Sequence, residues 1–163
     1  MNDFKFKKRR VEVALYVEAS VARAHVFLGH ASGVTGGPET LASVLGSGAK
    51  FLPTVVNGAF TCVPLEALSA VVCTEADAVD TGQSLGPETT LRVEAKTLAG
   101  KAFAGTLRFS RPAADSRLYD YLEEGPTFIP LRLSSGEVAL LNRGRLAWVR
   151  EAASKTKKKA RRK

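Results

Sequence analysis

Two cysteines and two histidines are the residues whose chemistry is most directly limited by their spacing. Cys62 and Cys73 sit in apolar stretches, FTCVP and AVVCTE. A free cysteine in such company packs as a small hydrophobe, and neither belongs to a CxxC pair or has a basic neighbour in sequence to lower its thiol. Two cysteines also make no disulfide framework. His25 and His30 are five residues apart, which puts them on opposite faces of any continuous strand, so they do not make a metal site. Gly33-Val34-Thr35-Gly36-Gly37 is glycine-rich but lacks the Lys-Ser/Thr that completes a phosphate loop, and reads as a flexible loop. The G-x-S-x-G elbow of a serine hydrolase does not occur. These residues predict a chain with no catalytic residue, no metal and no cofactor.

Charge is the next candidate for function. The net charge of +8 and pI of 9.8 suggest nucleic acid until they are partitioned. Residues 1–10 hold five Lys/Arg and one Asp, and residues 151–163 hold seven Lys/Arg and one Glu. The stretch between them holds 12 basic and 14 acidic residues, a net of −2. The excess therefore belongs to the ends. Lys155, Lys157, Lys158, Lys159, Arg161, Arg162 and Lys163 are candidate polyanion contacts, drawn to nucleic acid or an anionic surface by counterion release. No aromatic residue is interleaved with them, so base stacking is not expected.

The elements that would position any site come in two copies. LASVLGSGAKFLP (41–53) and LYDYLEEGPTFIP (118–130) share Leu41/Leu118, Leu45/Leu122, Gly48/Gly125, Phe51/Phe128 and Pro53/Pro130. After one inserted residue the match continues, with Val63 facing Leu141, Leu68 facing Leu146 and Val71 facing Val149. Upstream, VALYVEAS (13–20) resembles TLRVEAKT (90–97). Each copy reads as two strands of alternating pattern, a short amphipathic helix, a third strand, a tight turn, a fourth strand, a polar turn (LEAL or RGRL) and a closing strand. Thr40 and Ser116 are the expected helix caps, and Asn57-Gly58 the expected hairpin turn. Phe51 and Phe128, each opening a third strand, are expected beneath their own helices. Trp148 is expected in the core or at the seam between copies.

This layout predicts a mainly β protein of tandem SH3-like or Sm-like small barrels, each with one short helix; an open α+β sheet is the alternative. The expected organisation is a basic tail at 1–10, copy one at 11–74, an acidic linker at 75–88, copy two at 89–151 and a basic tail at 152–163. No apolar run approaches the roughly 18 residues of a membrane span. The N-terminus has the charge of a secretory signal but no apolar stretch after it, since Glu12 and Glu18 intervene, and a cytoplasmic location is expected.

The second copy carries a recognisable set of residues: Arg117-Leu118-x-Asp120-Tyr121-Leu122, then Phe128-Ile129-Pro130-Leu131, then Leu140-Leu141-Asn142-Arg143. It resembles an uncharacterised family of small bacterial domains that read R-L-S-D-Y-L-N…F-I-P-L…L-V-N-R-x-x-I, with Glu123 here in place of Asn and Leu146 in place of Ile. The resemblance implies a β-rich regulatory or accessory module and no activity. Asn142 is expected to cap the RGRL turn, and Arg143 to pair with an acidic neighbour such as Asp120. The expected function is a non-enzymatic adaptor whose folded body binds another protein, with Arg117, Tyr119, Asp120 and Arg143 as the candidate contact. A signalling protein such as a small GTPase is one partner such a module could serve, though no residue argues for it. The alternative is a nucleic-acid-associated protein acting through its basic ends.

Overall fold

The computed structural model describes residues 8–29, 38–80, 88–110 and 118–152. The first half contains β1 (Lys8–Val17), β2 (Ser20–Gly29), α1 (Leu41–Leu45), β3 (Phe51–Val56), β4 (Ala59–Pro64), a 3-10 turn (Leu65–Ala67) and β5 (Leu68–Thr74). After α2 (Glu75–Ala78) the same order returns: β6 (Glu88–Thr97), β7 (Ala102–Ser110), α3 (Leu118–Glu124), β8 (Phe128–Leu133), β9 (Glu137–Asn142), a 3-10 turn (Arg143–Arg145) and β10 (Leu146–Glu151). The protein is mainly β, with a few short helices.

Local chemistry explains several boundaries. The Thr40 hydroxyl accepts the Ser43 amide at 3.2 Å and starts α1. Ser116, its expected counterpart, lies outside the described residues. Asn57 and Gly58 both have positive φ (51° and 78°), the left-handed pair that a two-residue hairpin between Val56 and Ala59 requires. Lys8, Arg9 and Arg10 are not a tail. They open β1, where Arg9 pairs with the Asp77 carboxylate and donates to the Glu39 carbonyl at 2.9 Å. Residues 75–78, expected as linker, instead form α2, whose Ala78 is buried in the first core.

All ten strands form one antiparallel sheet in the order β10-β6-β7-β8-β9-β5-β1-β2-β3-β4. Each copy thus has its closing strand beside its first strand, as a small barrel would. Neither copy closes on itself, which corrects the expectation of two barrels. The fourth strand of copy two, β9, spends its second edge on the closing strand of copy one, β5, over pairs running from Ala70–Leu141 to Thr74–Glu137. The two strands that would have matched them, β4 and β10, are the ends of the sheet among the described residues.

The β5–β9 seam is buried on both faces. Val71, Cys73, Val138 and Leu140 join the first core with Val13, Leu28, Leu41 and Leu45. Their alternating neighbours Ala70, Val72, Ala139 and Leu141 join the second core with Val93, Leu107, Tyr121 and Leu131. Because side chains alternate along a strand, the two copies lay their cores on opposite faces of the shared pair. This accounts for the unbroken apolar runs SAVVC and VALL, which read as strands covered on both sides.

Candidate interaction surface

The seam supplies the measure for every other surface of the protein. Asn142, buried at its edge, accepts the Gly144 amide at 3.0 Å and so caps the second 3-10 turn. Its amide nitrogen donates to the Leu68 carbonyl at 2.8 Å and the Leu65 carbonyl at 3.3 Å, tying copy two to copy one. Arg145 adds a bond from Nε to the Glu66 carbonyl at 2.8 Å, and Arg132 an ion pair with Glu75 at 2.7 Å. A buried amide that meets carbonyls on the other copy fixes the register of the seam, because a slip would leave those groups unpaired.

Phe128 shows how a covered hairpin face is built. It is 5% exposed and belongs to the first core, where α1 of the other copy packs against β8. It does not sit beneath its own helix, as its place in the sequence predicts. Beneath α3 lies Phe109 of β7 instead, with the helix's own Tyr121 stacked on it at 4.5 Å between ring centroids.

Phe51, the equivalent residue of copy one, is 53% exposed. On its face of the β3–β4 hairpin stand Pro53 and Val55, opposite Pro64, Cys62 and Phe60 in register. Phe60 is 70% exposed, and Cys62, Pro53 and Pro64 are exposed as well. Residues 51–64 contain no charged side chain at all. The counterparts of Phe51, Phe60 and Cys62 in copy two are Phe128, Val138 and Leu140, all buried in the seam. The hairpin therefore presents to solvent a face that, in the other copy, is packed against protein. The sequence carried a signal for it: FLPTVV-NG-AFTCVP is apolar at both parities, whereas a hairpin with one wet face alternates.

The residues expected to form the contact are placed differently. Tyr119 is 70% exposed on α3, and Asp120 is half-buried on the same helix. Arg143 caps that helix: its Nη1 donates to the carbonyl oxygens of Leu122 (2.7 Å), Gly125 (2.8 Å) and Glu123 (3.3 Å), so backbone carbonyls stand where an acidic partner such as Asp120 is expected from the sequence. Arg117 and the seven basic residues from Lys155 to Lys163 lie outside the described residues. Trp148 is 38% exposed, on the outer side of the free strand β10, with the Arg150 guanidinium 4.6 Å above its ring. It is neither in the core nor at the seam, which corrects that expectation.

No reactive arrangement emerges among the described residues. Cys73 is buried, and burial with Asp77 and Glu137 nearby pushes its thiol up to about 12, so it stays protonated and inert. It borders a shallow cleft of about 410 Å³ with Tyr16, Val72, Glu137 and the Glu12–Arg23 ion pair. No group of three or more His, Cys, Asp or Glu converges among the described residues. His25 faces the Arg10 guanidinium at 3.2 Å, and His30 lies outside the described residues. No helix among the described residues is long and apolar enough to cross a membrane. No family model, curated protein or solved structure matches the chain.

Proposed function

We propose that this protein is a non-enzymatic interaction module, an adaptor or regulatory subunit that binds another protein through its folded body. One observation carries the reading: the uncharged outer face of the β3–β4 hairpin, with Phe51, Phe60 and Cys62 exposed, has a buried twin in copy two. Contiguous apolar surface on a small protein marks a place where other protein is meant to sit. The free strand edge of β4 beside that face adds main-chain donors and acceptors for a partner strand. Tyr119, exposed on α3, offers an aromatic anchor for a second contact. Polyanion binding through the basic C-terminal residues is the rival reading, and it rests on their charge alone.

The two readings separate by substitution in the intact chain. Phe60→Asp should abolish capture of a protein partner and leave retention on heparin unchanged. Replacing the seven Lys/Arg between 155 and 163 by Ala should do the reverse. If the second variant loses every partner while Phe60→Asp keeps them all, the interaction-module reading gives way to the polyanion one.

A further inference from the structure

We propose that the occupant of the exposed hairpin is a second copy of this chain, bound head to tail, with β4 of one molecule antiparallel to β10 of the next. The proposal rests on the reading above, that the β3–β4 hairpin is an interaction face. The chain already contains one such junction. β5 and β9 pair across the two copies, β10 is the counterpart of β5, and β4 is the counterpart of β9. The outer strand edges left without a neighbour among the described residues, those of β4 and β10, are therefore the two halves of the same junction, not yet joined.

The register carries over. Displacing the seam by the 78 residues that relate Val63 to Leu141 and Leu68 to Leu146 sets Trp148 opposite Val63, Val149 opposite Cys62 and Arg150 opposite Thr61. Pro64 does not interrupt this ladder, because its counterpart Asn142 lies just beyond the last seam pair, Ala70 with Leu141. The side chains carry over too. In the seam, Phe128, Val138 and Leu140 share one buried core with Leu41, Leu45 and Val71 of the other copy. At the free end of copy one, Phe51, Phe60 and Cys62 are the inserting counterparts, and all three are exposed. At the free end of copy two, Leu118, Leu122 and Val149 are the receiving counterparts, apolar and only half-buried, where Leu41, Leu45 and Val71 are fully covered. Both halves keep the apolar residues of the junction and lack only each other.

Edge strands are ordinarily blunted by Lys, by a mid-strand Pro or by a bulge, because an open ladder recruits another chain. β4 (AFTCVP) has no charge, and its proline sits at the end. Charge at Arg150 and Glu151 confines the apolar contact to the Trp148–Val63 and Val149–Cys62 positions, which favours one register over a slipped one. A head-to-tail junction of this kind either closes two molecules on each other through two equivalent contacts or runs on to larger assemblies.

Complementation between two broken chains tests the proposal. Phe60→Asp spoils the β4 end and Trp148→Asp the β10 end, both at exposed edge positions where the fold tolerates a polar residue; circular dichroism checks this. By light scattering, the intact chain should show at least twice the 17.4 kDa mass of one molecule at micromolar concentration, and each variant alone should fall to one. Mixed, the two variants should form a one-to-one complex, because each supplies the end the other lacks. An intact chain that stays monomeric overturns the proposal. In that event the interaction-face reading survives if Phe60→Asp still releases a different protein, and falls with it if not. Variants that stay monomeric on mixing overturn the head-to-tail geometry. As a check that does not depend on these substitutions, Val149→Cys should oxidise to a disulfide with Cys62 of a second molecule, since directly opposite antiparallel residues stand about 4.5–5.5 Å apart at Cα. A Cys62–Cys62 link in its place means that two β4 strands pair with each other, and the proposal is wrong.

Discussion

Phe51 and Phe128 occupy the same position in two copies of one module. Each follows a short helix and a glycine, and each precedes a buried Leu or Ile and then a proline. One faces solvent and the other is sealed in a core. The difference arises because β9 has a second neighbour, β5, beyond its hairpin partner, whereas among the described residues β4 has only its hairpin partner β3. Apolar pattern tells which residues a strand would bury. Strand pairing between distant segments decides whether anything comes to bury them.

The comparison breaks most visibly under matched truncation. Phe128→Ala should cost about 3–5 kcal/mol of stability, the range for emptying an aromatic site in a packed core. Phe51→Ala, measured in the same urea titration at a concentration where the chain is monomeric, should stay within about 0.5 kcal/mol, as exposed positions do. Equal losses would mean that the two hairpins are covered alike.

Asn142 and Pro64 make a second matched pair, one at the seam and one at the free edge. Asn142→Ala leaves the Leu68 carbonyl without its partner inside the seam, and about 1–3 kcal/mol should be lost. Pro64→Ala removes no such bond and should change little. A thermal melt in which both variants match the parent would show that the amide does not hold the two copies in register.

The two cysteines sharpen the contrast in a smaller way. Cys62 is exposed on the free hairpin and should react with a thiol reagent in the folded protein, whereas Cys73 should react only on unfolding. Folding holds the Cys73 thiol protonated up to about pH 12, against 9.0 for an ordinary thiol. Above pH 9 the unfolded chain therefore binds fewer protons than the folded one, and stability should fall as pH rises through that window. The slope from this one group approaches about 1.4 kcal/mol per pH unit, and Cys73→Ala should remove it. A slope that persists in the variant assigns the alkaline loss to other groups.

What the sequence made legible was local or repeated. The Asn57-Gly58 turn, the Thr40 cap and the Asn142 cap each depend on partners within a few residues. The duplication shows in paired Leu, Gly, Phe and Pro residues, and the mainly β class in the alternation of each strand. The seam was not legible, because SAVVC and VALL announce burial on two faces without saying which strand lies beside which. For the same reason Trp148 reads as core until β10 proves to be an end of the sheet. Arg143 resembles a surface contact in sequence, since only the fold brings the end of α3 within reach of its guanidinium. The exposed hairpin face could have been found from the missing charge between residues 51 and 64, a lapse in alternation that a buried pair of faces would equally have produced.

Hydrogen exchange of the intact, dilute chain tests the central claim most directly, because β4 and β9 are equivalent strands of equal length. β9 has a hydrogen-bonded neighbour on each side and β4 on one only. Peptides covering residues 137–142 should exchange only with global unfolding, and those covering 59–64 should lose about half of their amides orders of magnitude sooner. Equal protection of the two strands in the monomer would contradict the unequal fates assigned to the two hairpins.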